Sequence, residues 1–185
     1  MKKKQEGFTL IELLVVVAII GILSTLAMVS VNIAKRNARV TKAVSAISEI
    51  RKAIDIMALD TMKWPGNQQI NQIGTAGNNE LCGADANSNI CVSSLFDGVG
   101  GLVSNGGAFQ MWSGPYMSEV LLDPWKHEYF FDTDYRIDSN GDPCECTNLA
   151  CIDAVVIGSY GPDGLGAPTG APGSYGCDDI ILTIY

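Results

Sequence analysis

The chain is short of the residues on which most enzyme chemistry depends. Its 185 residues hold a single histidine, His127, beside Trp125 and Lys126. No serine sits in a Gly-x-Ser-x-Gly elbow, since Ser159 precedes Tyr160-Gly161 without that pattern, and no Gly-Lys-Ser run could cradle a phosphate. A nucleophile–base–carboxylate relay therefore has no support, a structural histidine is the simpler reading, and no small-molecule substrate is expected. Basic residues are scarce beyond the first third. After Trp64 only Lys126 and Arg136 remain, in a chain of net charge −8. Such an acidic surface repels nucleic acid. Charge of either sign is absent from Leu13 to Val31.

What is present begins with that uncharged run. Lys2, Lys3 and Lys4 precede it, Glu12 is the one acid at its edge, and Lys35, Arg36 and Arg39 follow it. A helix needs about 20 apolar residues to cross a bilayer, so the segment can span, and it is longer than the 7–15 residue core of a secretory signal. Basic residues on both flanks leave orientation open on charge alone. The six cysteines, Cys82, Cys91, Cys144, Cys146, Cys151 and Cys177, all lie beyond the run. An even count there suggests disulfides in an oxidising compartment, and so places the C-terminal part outside the cytoplasmic membrane. Cys82 and Cys91 would close one short loop, and the other four allow three pairings. A zinc cluster at Cys144, Cys146 and Cys151 is the rival reading, but zinc favours two-residue spacers and often histidine.

Downstream, Ala43, Ile47, Ile50, Ile54 and Met57 recur at spacings of four and three, which is one apolar stripe on a helix. The helix could run from Phe8 to about Met62 and end before Pro65. At 1.5 Å per residue it would measure roughly 80 Å. From Gly66 to Gly114 the composition is Gly-, Asn- and Ser-rich, and a long loop region with a short helix at Ser93–Val99 is expected. Three strands are expected late, at Glu128–Asp134, Ile152–Ile157 and Asp179–Ile184, connected as an antiparallel meander. Asp138-Ser-Asn140-Gly-Asp142 reads as a turn, because its Gly is misplaced for a calcium-binding EF-hand loop. The expected fold class is α+β, with a long N-terminal helix whose outer half packs under a small antiparallel sheet.

The segment Gly7-Phe8-Thr9-Leu10-Ile11-Glu12-Leu13-Leu14-Val15-Val16-Val17 closely resembles the class III signal of type IV pilins and type II secretion pseudopilins. The resemblance implies a leader at residues 1–7, cleavage after Gly7 by a prepilin peptidase, and N-methylation of Phe8. It implies a membrane-spanning and filament-core helix at 8–31, an amphipathic continuation at 32–63, and an extracytoplasmic head at 64–185. Glu12 of one subunit would pair with the Phe8 amine of its neighbour, which relieves the several kcal/mol that an unpaired buried charge costs. A Glu12 that only caps its own helix is the alternative. Many members of the family carry a proline near the position of Met28 or Val29, and this chain has none there; Gly21 weakens the helix at its own position.

A second resemblance lies in the head. Trp112-Ser-Gly-Pro115-Tyr116 and Leu122-Asp123-Pro124-Trp125 are similar to the segment before the sheet of the major type II secretion pseudopilin. Ser159-Tyr160-Gly161-Pro162-Asp163-Gly164, with Asp178-Asp179, resembles its C-terminal calcium loop. Calcium is implied as a cofactor, held by the Tyr160 carbonyl and by Asp163, Asp178 and Asp179. Segment 66–107 and the cysteine set lie outside this likeness. The expected function is a non-enzymatic subunit of a homopolymeric filament, built by an inner-membrane assembly platform, in a secretion machine. A type IV pilus for adhesion, motility or DNA uptake is the alternative, and a membrane-anchored domain that never polymerises is the third.

Overall fold

The computed structural model describes residues 7–74, 80–82, 91–141, 151–164 and 178–185. Its first element, α1, runs from Leu10 to Thr61. It ends where expected, before Pro65, through a local device. Met62 takes a left-handed φ of 55° and its N–H donates to the Ala58 carbonyl at 3.0 Å. A single left-handed residue after the last turn is the usual way to satisfy a freed carbonyl. Trp64 then enters the core, and a short 3-10 turn follows at Pro65–Asn67.

The chain divides into two compact units, Met1–Arg39 and Val40–Tyr185. The second unit has the core. Ala43, Ile47, Ile50, Ile54 and Met57, the stripe read from the sequence, are all at most 2% exposed. Ile47, Ile50, Ile54 and Met57 pack with Trp64, Leu81, Leu95, Phe96, Tyr129, Phe131, Val155 and Ile157. Each such side chain gains about 1.5–3 kcal/mol on burial, so the stripe is a main anchor of the head.

The sheet has five strands in the order β2-β1-β3-β4-β5: β1 Glu80–Leu81, β2 Cys91–Ser93, β3 Phe130–Ile137, β4 Ile152–Ser159 and β5 Ile180–Thr183. The last three form the expected antiparallel meander. The short β1 and β2 are an addition, parallel to each other. β3 runs three residues past the expected Asp134, and a register shift between Asp132 and Tyr135 explains how. Before it, odd-numbered Tyr129 and Phe131 face the helix-side core and Phe130 faces away. After it, Tyr135 and Ile137 join Phe130, Ala154, Val156 and Tyr160 on the far side. A bulge inserts one residue and inverts the alternation, so a strict period of two stops reading there. Asp132 Oδ1 accepts the Asp134 N–H at 2.9 Å within the bulge.

The expected helix at Ser93–Val99 does not form. Ser93 ends β2, and the following residues are bends and turns. Leu95 and Phe96 are fully buried, while Gly98 and Gly101 have φ of 58° and 83°, values no α-helix contains. The turn Asp138–Gly141 does form, with Asp138 Oδ1 accepting the Asn140 N–H at 2.8 Å and Gly141 at φ 86°. Asp142 lies outside the described residues.

Candidate functional site

The N-terminal arm is built around one peptide and one carboxylate. Gly7, Phe8 and Thr9 precede the helix, and Phe8 is 85% exposed. The Gly7–Phe8 bond therefore lies in exposed, non-helical backbone, and a Cβ added at Gly7 would meet nothing within 4 Å. Glu12 Oε2 accepts the Thr9 N–H at 2.9 Å and the Thr9 hydroxyl at 2.7 Å. Thr9 Oγ1 lies 3.4 Å from the Glu12 N–H, which completes a reciprocal capping box. Within a single copy, then, Glu12 caps its own helix through Thr9. The Thr-x-x-Glu spacing that marks this box is visible in the sequence.

From Leu13 to Leu23 the side chains Leu13, Leu14, Val15, Val16, Val17, Ile19, Ile20, Ile22 and Leu23 are 47–63% exposed. Aliphatic surface on this scale is unstable in water. The helix is long and apolar enough to cross a membrane.

The head joins two loops that the sequence keeps 36 residues apart. Asp123 is buried, and both its carboxylate oxygens accept hydrogen bonds. Its Oδ1 accepts the N–H groups of Trp125 and His127, both at 2.9 Å, and its Oδ2 accepts the Ser159 hydroxyl at 2.6 Å. Ser159 Oγ in turn accepts the Gly161 N–H at 3.1 Å. The Asp123-Pro124-Trp125 turn is thus tied to the Ser159–Gly164 loop. His127 packs on that loop too: a Cβ at Gly164 would come within 2.4 Å of its ring. Asp123 lies between Ser159 and His127, with His127 Nδ1 at 3.8 Å. A hydrolytic triad has the imidazole between serine and carboxylate, so this arrangement holds loops together and cannot relay a proton from serine to histidine. Sequence reasoning marked Asp123 and Ser159 only as parts of separate motifs. A contact across that separation has no local signal.

Tyr160 is buried and stacks on Phe130 with centroids 4.3 Å apart. Gly161, at φ 65°, passes so close to Asp178 that an added Cβ would lie 2.3 Å from the Asp178 carbonyl oxygen. The Asp163 N–H donates to Asp178 Oδ2 at 3.3 Å. Tyr160, Asp163 and Asp178 are therefore neighbours. Asp179 turns elsewhere, its Oδ2 accepting the Tyr135 hydroxyl at 2.7 Å. Among the described residues no three His, Cys, Asp or Glu side chains gather as a metal site would require. Cys82 and Cys151 are each disulfide-bonded, and none of the described cysteines is free. Cys144, Cys146, Cys177 and the side chain of Cys91 lie outside the described residues, and with them the expected Cys82–Cys91 pairing.

A third link has no local signature in the sequence. Asp60, at the end of α1, accepts hydrogen bonds from the Ser113 hydroxyl and, at 3.0 Å, from the Tyr116 hydroxyl. It fastens the helix end to the Trp112–Tyr116 segment.

Residues 2–28 match the prokaryotic N-terminal methylation motif. The chain is 43% identical over 68 residues to type II secretion system core protein G of Pseudomonas aeruginosa, covering 37% of this chain and 48% of that protein. It is 40% identical over 68 residues to the protein of that name from Aeromonas hydrophila, with the same coverage. It is 33% identical over 99 residues to type IV major fimbrial protein FimA of Dichelobacter nodosus, covering 50% of this chain and 64% of that protein. The chain spans about half the length of the secretion-system relatives it matches. No solved structure matches it significantly. The chain carries a prokaryotic N-terminal methylation motif, and its homologues are type II secretion core G proteins and type IV fimbrial proteins.

Proposed function

We propose that this chain is a structural subunit of a filament of the type IV pilus class, and that its relatives' role in type II secretion is also its own. The observation that carries the reading is the exposed apolar arm with one carboxylate, Glu12, five residues beyond Gly7. Cleavage after Gly7 would leave the arm on the mature chain with a new amine at Phe8. The arm is held in the membrane with the head on the outer side until subunits assemble, and in the polymer the arms bury one another. Glu12 then exchanges its Thr9 partners for the Phe8 amine of a neighbouring copy. A cation in a poorly solvated core stabilises the carboxylate more than two neutral donors can. Prepilin peptidase, an inner-membrane platform and further copies of the chain are the partners this scheme requires.

The test is fibre yield from cells expressing Glu12→Gln, with membrane insertion measured in parallel. Insertion should persist while sheared or secreted polymer falls by an order of magnitude or more. Polymer at wild-type yield would overturn the reading in favour of an anchored domain that never assembles. A pilus subunit is the second reading, favoured by the fimbrial match extending over 50% of the chain.

Calcium is proposed at the Tyr160–Asp163 turn and Asp178. Hard carboxylate and carbonyl oxygens suit that ion, and backbone at Gly161 already approaches Asp178. Bound calcium would stitch β5 to the end of β4 and raise head stability by mass action. Thermal unfolding in chelator and in excess calcium tests it. A shift of several degrees that vanishes in Asp178→Ala is expected, and identical melting in both conditions would remove the ion.

A further inference from the structure

Lys35, Arg36 and Arg39 have no role in the scheme above. They lie within the first unit of the chain and all three are exposed. Arg36 and Arg39 are three residues apart and Lys35 and Arg39 four, so the three share one face of α1. None forms an ion pair among the described residues. Along the helix there is no carboxylate to form one, because no acidic residue occurs between Glu12 and Glu49. The region is a patch of uncompensated positive charge.

Its position is informative. Leu10 to Val31 covers about 33 Å at 1.5 Å per residue, close to the roughly 30 Å of a bilayer's hydrocarbon. Lys35 and Arg39 stand four and eight residues beyond Val31, about 6 and 12 Å further along the axis. Lys35 thus stands in the headgroup layer, which is about 5–8 Å thick on each side, and Arg39 lies just outside it, within reach of the phosphates through its flexible side chain. Cleavage after Gly7 would also remove Lys2, Lys3 and Lys4. The three residues would then be the nearest basic side chains on either flank of the span.

We propose that Lys35, Arg36 and Arg39 form a docking face for anionic phospholipid headgroups in the leaflet next to the head. Guanidinium binds phosphate oxygens in pairs, and lysine adds a point charge. The face enriches anionic lipid around the stored subunit and fixes the depth of the span before assembly. This rests on the proposed membrane storage of the arm. A competing occupant is the acidic head of another copy, since residues 65–185 hold fifteen acids against two bases. The match between the patch and the phosphate depth favours the lipid.

The test uses the full-length chain in vesicles of phosphatidylcholine, alone or with a minority of phosphatidylglycerol. Spin-labelled phosphatidylglycerol and phosphatidylcholine report which lipid is held at the protein surface. Wild type should prefer phosphatidylglycerol about fivefold or more, because even one basic residue at such a surface contributes on the order of 1 kcal/mol. The preference should disappear in Lys35→Gln/Arg36→Gln/Arg39→Gln and in about 1 M salt, where the screening length falls to about 3 Å. Both proteins should float equally with pure phosphatidylcholine vesicles. Equal flotation without a lipid preference, or a preference kept by the triple variant, would overturn the headgroup face while leaving membrane storage intact. A triple variant with unchanged lipid preference but fewer cross-linked oligomers would assign the cations to a neighbouring head instead. Failure of wild type to float with any vesicle would sink the storage reading, and this proposal with it.

Discussion

At the scale of single residues, Tyr129 and Asp123 show how a buried polar atom is resolved in opposite ways. The Tyr129 ring is fully buried in the core beside α1, and its hydroxyl has no hydrogen-bond partner among the described residues. Burial, then the charges of Asp123 and Glu49, push its phenol well above the ordinary 10.0. The neutral form is thus favoured in the folded state. Stability from this group is complete below about pH 10 and falls as pH rises beyond it, because the unfolded chain then loses the proton first. Tyr129→Phe removes an orphaned hydroxyl and keeps the ring. It should hold or raise stability at neutral pH by about 1 kcal/mol and make the alkaline decline shallower, which urea unfolding at pH 7 and pH 10.5 would measure. Asp123 is the reverse case, with three donors converging on one carboxylate. Asp123→Ala leaves all three without it and should cost about 2–4 kcal/mol. Asp123→Asn keeps one acceptor oxygen and should cost less than half of that. Equal losses for the two variants would mean that the carboxylate does not hold these loops. Neither behaviour could be read from the sequence, since the burial of Tyr129 and the Asp123–Ser159 bond both depend on packing across long separations.

At the scale of elements, legibility followed periodicity. The stripe Ala43–Met57 was plain because a helix repeats its buried face without interruption, and the helix end was plain because Pro65 forbids continuation. The meander was legible as three β-branched or aromatic runs. β3 was read too short because the bulge between Asp132 and Tyr135 breaks its alternation. β1 and β2 were invisible, being two and three residues long in a Gly- and Asn-rich stretch. Ser93–Val99 was misread because Leu95 and Phe96 supply apolar weight, whereas the left-handed glycines around them supply the conformation. The end of α1 gives an element-scale prediction. Met62 is 66% exposed and sits at φ 55°, where a side chain costs roughly 1–2 kcal/mol and glycine gives back part of that in entropy. Met62→Gly should raise head stability by about 0.5–1 kcal/mol, read as the denaturation midpoint. A decrease would mean that the Met62 side chain is worth more than its backbone strain. Ile50→Ala, in the middle of the stripe, should cost about 2–5 kcal/mol in the same assay.

At the scale of the whole molecule, every buried hydrophobic residue among those described lies at or beyond Ala43, and the first unit ends at Arg39. Folding of the head and burial of the arm are therefore separable problems with separate solvents. The head carries its own core and sheet within Val40–Tyr185, whereas the arm of the first unit has exposed apolar side chains. A chain of this kind is stable only where a bilayer or other copies supply the missing contacts. The separation leads to a specific expectation. A fragment beginning at Val40, oxidised so that the bonded Cys82 and Cys151 keep their disulfides, should be soluble and monomeric without detergent and should unfold cooperatively. Its thermal midpoint should lie within a few degrees of that of the head in the detergent-solubilised full chain, because no core side chain has been removed. Glu12→Gln in the full chain should leave the same midpoint untouched while abolishing polymer, since that carboxylate serves only the arm. A fragment that aggregates, or a head transition that shifts with Glu12, would show that arm and head depend on one another for folding, and the division of labour argued here would fail at its root.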